Sequence, residues 1–178
     1  MKPDSVFQSK PLRIFYISSG ILAAAMIVVI IVLLATQKTR KDFTLNEYIA
    51  IVAVSELGGK TNMEKVRVRN FEIDDKIRVI TLNADENLTK KLAVTMCELQ
   101  TVDVMKKLVQ DKEFMEINTG ISFRWVFEFS NKYGETSEVV GMIITFMPEE
   151  INRIQWDNAL LVDVKEVAHT YWVNDFLQ

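Results

Sequence analysis

The sequence predicts an α+β protein: an N-terminal transmembrane helix, then a four-stranded antiparallel sheet of two hairpins covered by helices. Three observations predict it. Residues 14–35 carry no charge, two blocks of chain alternate apolar and polar residues with a period of two, and an amphipathic segment of helical period separates those blocks.

From Ile14 to Ala35 there are 22 uncharged residues, which as a helix reach about 33 Å and so cross a hydrocarbon core. The run is too long for the apolar region of a cleaved signal peptide, and Leu33-Leu34-Ala35 places Leu where cleavage wants a small residue. An uncleaved anchor is the expectation, with membrane lipid as its first partner. Arg13, Lys38, Arg40 and Lys41 flank the span, and residues 36–42 form a basic juxtamembrane linker. Lys2, Lys10 and Arg13 precede it, so the positive-inside bias is close to a tie. The short tail tips the balance: residues 1–13 are expected in the cytoplasm and the C-terminal domain outside the cell membrane.

The remaining chain, 43–178, is read as one soluble α+β domain. With Asp4 and Asp42 the only acids among six bases, the first 42 residues carry +4, which leaves −7 for the rest of a chain whose net charge is −3. A basic anchor beneath an acidic domain suits an anionic membrane surface and argues against nucleic acid as a partner. Thr44 and Glu47 make an S/T-x-x-E capping box ahead of Leu45, Tyr48, Ile49, Val52 and Leu57 at helical spacing, and Gly58-Gly59 ends that helix. Residues 65–73 and 76–82 alternate as strands around a turn at Asp74-Asp75, and the apolar phase slips once in each, as a bulge would make it. Residues 85–110 predict a long helix with Leu88, Leu92, Met96, Leu99, Val102, Met105 and Val109 on its buried stripe.

The clearest strand follows, with Ile121, Phe123, Trp125, Phe127 and Phe129 on one side. Asn131 to Gly134 supply a turn, and Val140, Met142, Ile144 and Phe146 return as the hairpin partner. Pro148 opens a short helix, and a last helix is expected over 164–173, burying Val164, Val167, Ala168, Tyr171 and Trp172. Arg67, Arg69, Arg78, Arg124 and Glu128 are expected on or near the uncovered, solvated face of the sheet.

Specific chemistry is sparse. Cys97 is the only cysteine, at an apolar position of a helix, and packs as a small hydrophobe. His169 is the only histidine, so no histidine cluster for a metal can be built; a dyad with Asp157 or Asp163 would need it off the surface. Asp74-Asp75 and Asp85-Glu86 suit a turn and a helix start better than a calcium loop. No Gly-rich phosphate loop, G-x-S-x-G or H-E-x-x-H motif occurs. The expectation is therefore no cofactor, no metal and no enzyme activity. The aromatic row from Phe123 to Phe129 is read as core rather than as a stacking platform.

Ile154-Gln155-Trp156-Asp157-Asn158, followed by Val167-Ala168-His169-Thr170-Tyr171-Trp172, is the most distinctive stretch. It resembles the ending of small membrane- or lipid-anchored surface proteins of Gram-positive bacteria and their mobile elements, in which a W-D-N step precedes a V-A-x-x-Y-W helix. The resemblance covers about the last seventy residues, lacks the lipobox cysteine, and implies an anchored α+β domain with no assigned activity. Trp156, Tyr171 and Trp172 are the candidate interface anchors. The function expected is that of a membrane-anchored, non-enzymatic interaction or accessory domain in a surface or envelope assembly for transfer, secretion or exclusion, with protein partners and homo-oligomerisation left open. The competing reading is a ligand-sensing or substrate-binding module, which needs a concave pocket between sheet and helices.

Overall fold

The computed structural model describes residues 40–178 except 75, 87, 88, 131, 132 and 162, and leaves undescribed the side chains of 41, 130 and 159–161. The expected span from Ile14 to Ala35, with Arg13 and Lys38, lies outside the described residues, as do Asp75, Asn87, Leu88, Asn131 and Lys132. Among the described residues no helix is long and apolar enough to cross a membrane. The chain divides into two units after Asp42. Within the first, Arg40–Asp42, which includes Lys41, is a 3-10 turn; the second unit is the α+β domain.

That domain begins with α1, Leu45–Leu57. Thr44 Oγ1 accepts from the Glu47 amide at 3.3 Å while the Glu47 carboxylate accepts from the Thr44 amide at 2.8 Å, so two amides at the open end of the helix are satisfied. Gly58, at φ 82°, ends it in a conformation that side chains rarely adopt. Strands β1, Val68–Asp74, and β2, Ile77–Asn83, form the first antiparallel hairpin. Its register shifts once, between Val68 and Asn70, so the bulge lies in β1 and β2 has none.

Helix α2, Lys90–Leu108, starts at the Thr89 cap rather than at Asp85, because the Asp85 carboxylate is engaged by Arg67 instead of opening the helix. Its buried line is Ala93, Cys97, Thr101, Met105 and Leu108, with Val102 and Val104 beside it, while Leu92 and Leu99 of the expected stripe are exposed. The cause lies opposite: the fully buried Trp125 needs small neighbours, and its indole Nε1 donates to Thr101 Oγ1 at 3.0 Å. A short α3, Lys112–Glu116, is capped by Asp111 and sinks Phe114 into the core.

Strand β3, Gly120–Ser130, then pairs with β2 in parallel, and β4, Thr136–Phe146, returns antiparallel to β3. The expected all-antiparallel, four-stranded sheet is thus corrected to five strands in the order β1-β2-β3-β4-β5 with one parallel pair. The path through α2 and α3 is a helical crossover, which carries the chain back to the end where β2 began, so β3 runs the same way. Helix α4, Pro148–Arg153, opens on Pro148. A 3-10 segment, Trp156–Leu161, and a single turn of helix α5, Val164–Val167, follow.

The helix expected over 164–173 stops at Val167, and Thr170–Val173 is instead strand β5, paired with Met142 to Thr145 of β4. Four β-branched and aromatic residues in a row favour the extended form once an apolar strand edge is there to receive them. The closing 3-10 turn, Asp175–Leu177, brings Phe176 edge-on to Phe129, ring centres 3.9 Å apart.

Candidate functional site

Registers sort the side chains onto two faces. Ile121, Phe123, Trp125, Ile144, Phe146 and Tyr171 point toward the helices, and all but the half-buried Tyr171 are completely buried. The aromatic row from Phe123 to Phe129 is therefore core, with Phe129 at its margin. On the opposite face a row runs Asn70, Thr81, Arg124, Ile143, Trp172 across all five strands. Arg78 with Asn46 of α1, Trp125 with Thr101 of α2, Phe146 with Trp156 and Phe129 with Phe176 all meet on the first face.

The expected solvated arginines divide accordingly. Arg124 stays on the face opposite the helices, paired with Glu72 at 3.0 Å, and Glu128 and Arg69 belong to an ion cluster there: Lys65 pairs with Glu128 and with Glu138, and Arg69 with Glu138 at 2.7 Å. Hydrogen bonds from Lys65 and Arg69 outweigh burial and hold the Glu138 carboxyl below the usual range, while Glu128 and then Glu138 raise the Lys65 ammonium. Arg67 and Arg78 are corrections. Arg78 turns to the helix side, where it donates to Asn46 Oδ1 at 2.7 Å. Arg67 is 2 % exposed and donates to both Asp85 oxygens, at 2.8 and 2.9 Å, and to the Asn83 carbonyl at 3.0 Å. Burial raises the Asp85 carboxyl, but Arg67, the Asn62 amide and Gln100 together outweigh it and hold the group below its ordinary value.

A cleft of about 360 Å³ opens where β2 ends and the longer β3 runs on. Phe127, Phe129 and Leu177 form its apolar wall, and Lys65, Asp85 and Lys90 its polar rim. It lies beyond the carboxyl end of β2 and beside the last residues of β3.

The three aromatic anchor candidates are separated. Trp156 is 6 % exposed, packed edge-to-face on Phe146 at 5.4 Å, with its Nε1 donating to the Ile151 carbonyl at 2.9 Å; it is a core residue and offers no interface. Tyr171 faces the helices and donates to Glu98 Oε1 at 2.5 Å; burial and then that carboxylate push its hydroxyl pKa up, so it stays a protonated donor. Trp172, its neighbour in β5, points the other way and is 42 % exposed.

Burial drives the Cys97 thiol far from ionisation. His169 sits on the surface 3.8 Å from Glu150, and Asp163 caps α5. Among the described residues no group of three or more His, Cys, Asp or Glu is placed to hold a metal ion. Sequence reasoning missed the Arg67–Asp85 pair and the cleft; both depend on where β1, β2 and α2 meet, which no local spacing reports. Comparisons with family models, with curated proteins and with solved structures give no match.

Proposed function

We propose that this chain is a non-enzymatic interaction domain, held at a cell membrane by residues 14–35 with its C-terminal domain outside, and that it contributes to a surface or envelope assembly. One observation carries the reading: on the sheet face opposite the helices, Trp172 stands out beside Ile143 and is 42 % exposed. A large aromatic left 42 % exposed in a domain that buries every other tryptophan is the kind of anchor that dominates a protein interface. The ion pairs lower on that face are matched among themselves, which leaves the apolar end as the adhesive part. The likeness of the C-terminal segment to anchored Gram-positive surface proteins supports the same reading.

The test joins topology to partnership. An epitope at Gln178 should be lost when intact cells are treated with protease, and complexes purified with the full chain should lose their other proteins in the Trp172→Ala variant. Protection of the epitope in intact but not lysed cells would overturn the orientation; complexes indifferent to Trp172→Ala would overturn the interface.

The cleft favours a second reading, a ligand-sensing module, since its volume is at the lower end of the ~300–1,000 Å³ common for small-molecule sites. A metabolite screen by thermal shift should then give at least one stabiliser whose effect the Phe127→Ala variant removes; a flat screen would end this reading.

A further inference from the structure

We infer that β5 is a self-pairing edge: two copies of this chain join antiparallel through Thr170–Val173, around a twofold axis at Trp172, and run one sheet through both. The inference rests on the reading that the Trp172 end of the sheet is an interaction surface, and it names the partner as a second copy.

The two edges of the sheet differ. Strand β1 is guarded in the usual ways, by a bulge between Val68 and Asn70 and by the charges of Arg69, Glu72 and Asp74. Strand β5 reads Thr-Tyr-Trp-Val, with no charge, proline or bulge. Its four residues make few backbone bonds, so adhesion there also needs a side-chain contact, and Trp172 supplies the largest exposed apolar surface on the strand.

The Asn174 amide donates to the Gly141 carbonyl of β4 at 2.8 Å, so by alternation Trp172 and Thr170 bond toward β4 while the backbone groups of Tyr171 and Val173 point away from the sheet. Those two residues flank Trp172 symmetrically. A twofold axis at Trp172 therefore sets Tyr171 of each copy opposite Val173 of the other, where both backbone bonds can be exchanged. It also sets the two Trp172 residues opposite each other in the close, non-hydrogen-bonded position, on the face opposite the helices, where aromatic pairs interact best. The same register sets His169 of one copy toward Asp175 of the other, groups of opposite charge when the imidazole is protonated. One bond must yield: the exposed Gln178 Nε2 donates to the Val173 carbonyl at 3.0 Å and would be displaced.

The test uses the full chain with its N-terminal segment, in detergent micelles, with the protein mass read by light scattering. The wild type should contain two copies. Trp172→Lys, which sets two ammonium groups face to face, should contain one with unchanged circular dichroism, and Trp172→Phe should restore two. A one-copy wild type overturns the inference, and so do two copies in both wild type and Trp172→Lys. If the lysine variant does not fold, Trp172→Cys decides the matter, because the native Cys97 is buried. Mild oxidation should link two chains, and it should leave Arg69→Cys on the guarded edge unlinked; equal linking of the two variants overturns the inference. A one-copy chain whose Trp172→Ala variant still loses its native complex removes the self-pairing and leaves the interaction-domain reading standing.

Discussion

Trp125 sets the terms for the side chains around it. It is completely buried, and its one polar atom is satisfied by Thr101, itself completely buried on α2. The Thr101→Val variant keeps the shape and removes the acceptor, leaving an indole N–H with no partner in the core; it should cost about 1–3 kcal/mol in urea unfolding, and Thr101→Ser should recover part of that. Gly141 is a second position where one atom decides. It is the extra residue where the β3–β4 register shifts, and a Cβ there would lie 2.3 Å from the Phe127 ring and 2.8 Å from Leu177. Gly141→Ala should therefore destabilise by about 1–3 kcal/mol through overpacking, seen as a lower denaturation midpoint at unchanged slope. A neutral Gly141→Ala would mean the Phe127 ring can move aside. That Phe123, Trp125 and Phe127 are core was readable from their alternation. The demand on Gly141 was not, because in the sequence it is one glycine inside an alternating strand, and the bulge exists only once β4 is laid against β3.

Elements whose causes are local were legible, and those whose causes are distant were not. Helix α1 needs only its own first turn to be recognised: Thr44 and Glu47 cap each other across three residues. Thr44→Ala should accordingly cost about 1 kcal/mol, measured by thermal unfolding, with little change in the circular dichroism of the folded state. A loss much larger than this would mean that Thr44 holds more than the helix end. Strand β5 is the opposite case. Val164, Val167, Ala168 and Tyr171 are spaced as for a helix, yet the chain leaves the helical form after Val167, because β4 offers Thr-Tyr-Trp-Val an edge to pair with. That edge lies some thirty residues away in sequence. The same distance effect rotated α2: its leucines suggested one buried stripe, and the bulk of Trp125 selected the Ala93–Cys97–Thr101 line instead.

At the scale of the whole molecule, one carboxylate ties together parts of the domain that are far apart in sequence. Asp85 accepts from the Asn62 amide at 2.9 Å, from Arg67 at 2.8 Å and from Gln100 Nε2 at 3.0 Å, joining the loop before β1, the entry to β1, the exit of β2 and α2 at the rim of the cleft. Arg67 has no access to water to fall back on, so removing its counter-charge leaves a buried guanidinium unneutralised. Asp85→Asn should cost about 3 kcal/mol at pH 7, the low end for a broken buried pair, because the Asp85 side chain keeps 20 % of its surface exposed. The pH dependence has a definite sign. The folded-state pKa of Asp85 lies below its unfolded value of about 4, so its stabilising contribution is complete above that value and is lost as the pH falls from there through the folded value. Glu138, lowered by Lys65 and Arg69, acts in the same direction but on the exposed ion cluster, where solvent screens it. Urea unfolding at stepped pH from 7 to 3 should thus show the wild type losing stability below about pH 4 and the gap to Asp85→Asn narrowing with it. A gap that stays constant over that range would show that Asp85 does not take up its proton there, and the acid sensitivity would have to be sought in Glu138 instead.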